Sequence, residues 1–108
     1  MPFDHFLPRS FTASSVREHA PMASGVYGIS NAFEWIYIGE SDNIQDSLLG
    51  HLRQLDTSLL RRQPTGFVFE LCGRAQRPAR QDRLILEYEP VCNRHWGGND
   101  GLGRSAGQ

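Results

Sequence analysis

With 108 residues, the chain has room for one small domain and a single core. Hydrophobic residues make up 39% and charged residues 21%, a globular balance that excludes a chain disordered throughout. The net charge of −1 and a pI near 6.4 exclude an overall basic field that would recruit nucleic acid.

All eleven basic residues are arginine, whose planar fork suits phosphate, although base composition of the coding sequence explains the bias as well. Two cysteines, Cys72 and Cys92, are too few for a disulfide framework. The first residues show neither a charged region nor an apolar run, so no signal peptide is expected. No stretch is long and apolar enough to span a membrane. A cytoplasmic protein without a membrane partner is the resulting expectation.

Residues 1–20 carry Pro2 and Pro8 and no sustained period, and read as an N-terminal arm with one helical turn near 14–19. The domain proper is placed at 21–96. Its first strand is expected over 25–29 and its second over 35–39, where aromatic and β-branched residues gather. Ser41, Asp42 and Asn43 signal a helix start. Ile44, Leu48, Leu52, Leu55 and Leu59 then follow at helical spacing, with a break expected at Asp56 and Thr57. Pro64 to Gly66 is a turn, and 67–71 a third strand. Pro78 suits the first turn of a second long helix, which Pro90 stops. Residues 97–108 are glycine-rich and are expected to form a flexible tail. The order gives an α/β, or α+β, sandwich: a small three-stranded antiparallel or mixed sheet flanked by helices.

Two tripeptides stand out: Gly25-Val26-Tyr27 and Tyr37-Ile38-Gly39. They read as the two arms of a hairpin, each with a tyrosine and an outer glycine. This pair resembles the signature of the GIY-YIG nuclease family. The resemblance extends from about residue 21 to residue 93. Ser41, Asn43 and His51 fit the family's pattern after the second motif, and Leu84, Ile85, Tyr88, Pro90 and Asn93 fit its later one. Two positions depart. The family's arginine falls on Ser47, and its glutamate on Gln81.

The resemblance implies hydrolysis of a phosphodiester by an activated water with one divalent metal. The retained positions would be Tyr27, a candidate base or water-orienting hydroxyl, together with Tyr37, His51 and Asn93. Magnesium prefers hard anionic oxygen, and the amide of Gln81 is a poorer ligand. Ser47 is too short and neutral to replace a guanidinium, and loss of one preorganised donor costs about 10²–10³ in rate. A tyrosine with an ordinary pKa near ~10 needs charged neighbours to act as a base, so both losses also weaken Tyr27. Gln81 precedes Leu84, Ile85 and Tyr88 by three, four and seven residues, which places it on their core-facing stripe.

The leading expectation is a catalytically impaired pseudonuclease that binds DNA or a protein partner, with no resident metal. An alternative is an active magnesium- or manganese-dependent endonuclease in which Asp82 or Glu40 replaces the carboxylate. Arg77, Arg80 and Arg83, three residues apart, would then be the phosphate- or nucleic-acid-binding row. A third reading is an interaction module without a nucleic-acid role. Tyr27 and Tyr37 also serve as ordinary strand residues, and His51 as a hydrogen-bonded structural histidine. His51, Cys72, Cys92 and His95 lack the close paired spacing of a zinc site.

Overall fold

The computed structural model describes residues 3, 7–53 and 58–93. In chain order the elements are β1 (Arg9–Ser10), α1 (Ala13–His19), β2 (Gly25–Ser30), β3 (Trp35–Ser41), α2 (Ile44–Arg53), α3 (Ser58–Arg61), β4 (Gly66–Leu71) and α4 (Arg77–Tyr88). The strands form one antiparallel sheet in the order β1-β4-β2-β3. The six residues of β2 are all buried, because this strand is paired on both edges and covered on both faces.

Alternation along the strands divides the core in two. Tyr27, Ile29 and Phe67 lie on the face covered by α1, α2 and α3, among Val16, Ile44, Leu48 and Leu59. Val26, Ile38 and Val68 lie on the face covered by α4, where they meet Leu84 and Phe3. The ring of Phe3 lies 5.9 Å from Trp35 and 5.8 Å from Tyr88, whose hydroxyl accepts a hydrogen bond from the Phe3 N–H. Between Ile29 and Ser30 the β2–β3 register shifts: Ile29 pairs with Tyr37 and Ser30 with Trp35. Ile36 is therefore an extra residue, and this bulge sends Ile36 and Tyr37 into the same cluster.

Two expectations change. The sheet has four strands, not three, because Arg9 and Ser10 pair with Phe67 and Gly66. The stretch read as an arm supplies that strand and the helix α1. Thr12 caps α1 by accepting a hydrogen bond from the Ser15 N–H. Its buried Val16 joins Phe11 in the core, because a short helix still buries one apolar face. Prolines in this stretch hid its order: Pro8 has no N–H to extend the pairing beyond Arg9.

The other expected elements occur within a residue or two of their expected bounds. Asn43 caps α2 by accepting from the Asp46 N–H, and its own N–H donates to Ser41 Oγ. α4 carries Pro78 in its first turn and ends at Glu89, a residue in the left-handed region (φ 49°) followed by buried Pro90. The expected break at Asp56 and Thr57, the positions of Leu55 and His95, and the tail at 97–108 lie outside the described residues.

Candidate active site on the third strand

β3 organises every position singled out from the sequence motifs. On one face, Tyr27 from β2 and Tyr37 from β3 project towards α2, with ring centroids 6.2 Å apart. His51 on α2 closes the cluster, 5.7 Å from the Tyr27 ring and 5.2 Å edge-on to Tyr37. Tyr27 Oη lies 2.8 Å from His51 Nε2, a hydrogen bond whose donor is set by the imidazole tautomer.

Burial governs the charge of this cluster. It raises the Tyr27 phenol well above its ordinary value, and neighbouring Tyr37 adds to the effect. Tyr37 is raised by burial, then by Cys92 and Glu40. His51 is lowered by burial, so its imidazole is neutral at pH 7. Three neutral polar rings thus touch one another. The imidazole is the member able to accept a proton near neutrality, provided that Nδ1 carries the ring proton.

Both motif glycines are required by space. A Cβ on Gly39 would sit 2.6 Å from the Tyr27 phenol and 2.8 Å from the Tyr37 ring. A Cβ on Gly25 would run into the Glu70 carbonyl oxygen. Gly39 is therefore the floor on which the tyrosines lie, and Gly25 lets β2 pass close to β4.

Gln81 and Asn93 meet at the next residue of the strand. Ile38 faces Gly28, and its N–H and C=O point away from β2 to the free edge. Asn93 Oδ1 accepts from the Ile38 N–H at 2.6 Å, and Asn93 Nδ2 donates to the Ile38 oxygen at 2.9 Å. Gln81 Nε2 donates to the same oxygen at 3.2 Å. Ser47 binds at the strand's end, with its Oγ 2.7 Å from Ser41 Oγ. Tyr37, Ile38, Gly39 and Ser41 thus receive, in turn, the imidazole, the two amides, the Tyr27 ring and the serine hydroxyl.

Solved structures with the same arrangement of elements come from the GIY-YIG N-terminal endonuclease domain of UvrC from Thermotoga maritima. The magnesium-bound domain matches at 22% identity with a TM-score of 0.60, over 69% of this chain and 91% of that one. A point mutant of the same domain, with its catalytic divalent cation, matches at 21% identity with a TM-score of 0.60, again over 69% of this chain and 91% of that one. The protein has the GIY-YIG endonuclease-domain fold. No family model and no curated protein matches the sequence.

Within this GIY-YIG fold the expected arginine row does not exist as a surface. Arg77 is buried, its Nε 3.1 Å from Glu40 and its Nη1 bonded to Asp42 (2.6 Å), Ser24 Oγ and the Ser41 carbonyl. Arg80 forms a two-pronged pair with Glu70, both bonds 2.7 Å long. Only Arg83 of the three is exposed. The physical reason is helical spacing: Arg77, Gln81, Leu84 and Tyr88 share one face, so the first arginine is carried into the sheet with the leucine. That spacing was visible in the sequence. So were the acidic partners, Glu40, Asp42 and Glu70, at the ends of two strands.

A divalent cation finds a poor donor set here. Among the described residues, no three histidine, cysteine or acidic side chains group to hold one. Glu40, Asp42 and Glu70 are each engaged by an arginine. Asp82 is exposed. Gln81 turns an amide N–H to the strand. The residues present do not fit a divalent metal of the kind bound in those solved structures.

Proposed function

We propose that this is a nuclease-fold domain that binds nucleic acid beside Tyr27, Tyr37 and His51 and cleaves it slowly or not at all. The solved relatives are endonuclease domains bound to a catalytic divalent cation, which supports a phosphodiester as the ligand class. The observation that carries the impairment is the hydrogen bond from Gln81 to the Ile38 carbonyl. It makes position 81 a donor to the strand, where the chemistry needs an anionic ligand. Ser47 deepens the loss, because its short hydroxyl is already paired with Ser41 and brings no positive charge to a phosphoryl oxygen.

The remaining groups still offer something to a nucleic-acid strand. Tyr37 and His51 are neutral, half-buried and contiguous with buried Tyr27, and their accessible edges would meet a sugar or base without repelling the backbone. A residual hydrolytic step would use His51 as the acceptor of a proton relayed through the Tyr27 hydroxyl. The raised pKa of Tyr27 works against it.

The test is cleavage of plasmid DNA by purified protein in magnesium and in manganese, beside Tyr27→Phe and the Gln81→Glu, Ser47→Arg double variant. Wild type is expected to leave the substrate intact. Robust metal-dependent nicking by wild type that disappears in Tyr27→Phe would overturn the proposal and direct attention to Asp82 and Glu40.

A further inference from the structure

The turn joining β2 to β3 displays Phe33 with 94% of its surface exposed, the largest exposure of a large hydrophobic residue among the described residues. The turn is firmly built. Asn31 Oδ1 accepts from the N–H groups of Phe33 (2.8 Å) and Glu34 (2.9 Å), and the Asn31 N–H donates to the Glu34 carbonyl. Asn31 Nδ2 also donates to the Arg62 carbonyl, which fastens the turn to the segment between α3 and β4. From the other side, the Thr65 N–H donates to the Ser30 carbonyl. Gln63, between those anchors, is held at φ 58° without being glycine, a conformation that persists only when the surroundings fix it.

The structure thus holds a large aromatic ring in water on a rigid mount. An apolar ring so displayed gains nothing for the fold. Preorganisation does lower the ordering cost of a contact made there.

Charge indicates the occupant. The joined segment brings Arg62 to Glu34, the residue after Phe33, in a pair that is long (3.5 Å) and half in solvent, and Arg61, exposed, precedes it in the chain. An aromatic face beside arginine side chains is the combination that holds a single nucleic-acid strand, base on ring and phosphate on guanidinium. Phe33 stands four residues before Tyr37, no more than about 13 Å along the strand. One strand can therefore cross both.

We infer that Phe33 is a stacking platform for an unpaired base of single-stranded nucleic acid, with Arg62 contacting its backbone. The inference rests on the nucleic-acid reading above and adds a second contact and a preference for unpaired strands.

The test is fluorescence anisotropy with labelled single-stranded and duplex DNA at several salt concentrations, on wild type, Phe33→Ala, Phe33→Trp and Arg62→Ala. Phe33→Ala is expected to weaken single-strand binding about 5- to 150-fold and leave the salt slope unchanged. Phe33→Trp should retain binding, and Arg62→Ala should reduce the salt slope by about one. Single-strand binding by Phe33→Ala equal to wild type overturns the platform while leaving the nucleic-acid reading intact. Failure of wild type to bind either DNA overturns both. Sedimentation of the same variants supplies a further outcome: self-association lost in Phe33→Ala, with DNA affinity unmoved, would make the ring a protein contact and overturn the inference.

Discussion

Replacing Gln81 by glutamate restores the residue type that the catalytic pattern calls for, yet the structure predicts a less stable protein. The wild-type amide nitrogen donates to the Ile38 oxygen at 3.2 Å. A carboxylate has no hydrogen to offer and would face that oxygen with a lone pair. The lost hydrogen bond is worth about 1 kcal/mol, and the apposed oxygens add a cost of similar size. Asn93 still donates to Ile38, so the carbonyl is not orphaned, and the total stays near 1–2 kcal/mol. For a domain of this size that corresponds to a fall in Tm of about 4–12 °C at neutral pH. The loss should depend on pH. Burial beside a carbonyl disfavours the ionised carboxyl and raises its folded-state pKa above the usual ~4.3. The penalty is therefore full above the folded-state value. It disappears as pH falls towards the unfolded one, where a protonated carboxyl can donate as the amide did. Thermal unfolding of wild type, Gln81→Glu and Gln81→Met at neutral and acidic pH checks this. Gln81→Met should lose only the hydrogen bond, at every pH. A Gln81→Glu protein with wild-type Tm at pH 7, and no gain relative to wild type in acid, would refute the role given to the amide.

Gly39→Ala should be destabilised by about 1–3 kcal/mol, because its Cβ has to displace both tyrosine rings; a shift in the tyrosine ring resonances by NMR would accompany the fall in Tm. Burial holds His51 below its ordinary value of 6.5, so stability is full above that pH and declines as pH falls towards the folded-state value. His51→Gln should show a flatter Tm-against-pH curve in that window, and parallel curves would contradict the buried neutral imidazole. Arg80→Ala should cost about 2–4 kcal/mol, since it leaves the largely buried Glu70 carboxylate without its guanidinium, whereas exposed Arg83→Ala should stay within about 0.5 kcal/mol of wild type.

The sequence disclosed the hairpin, the two long helices and the third strand for physical reasons that act locally. Aromatic and β-branched residues over 25–29 and 35–39 placed the two strands that carry Tyr27 and Tyr37. Period-3.6 spacing placed Ile44, Leu48 and Leu84, and Asn43 and Pro78 marked the helix starts. β1 is two residues long and held by pairing to Gly66 and Phe67, far along the chain, so no local pattern could announce it. The three-residue spacing of Arg77, Arg80 and Arg83 read as a surface row, because charged residues are mostly exposed. The carboxylates that draw them inwards come from β3 and β4, and pairing across elements is a tertiary fact. The bulge at Ile36 was equally silent, since either register of the hairpin satisfies the tyrosine motifs.

The amides on Ile38 have a consequence for the protein in concentrated solution. A strand at the margin of a sheet offers its unmatched N–H and C=O groups to any other chain, and this is how sheets grow into fibres. Asn93 supplies the one donor and one acceptor that an incoming strand would bring to Ile38, from within the same molecule. Gln81 shields the same spot. An invading backbone would have to evict two side chains at the centre of β3 before its first hydrogen bond formed there. Asn93 and Gln81 thus guard this margin of the sheet against polymerisation.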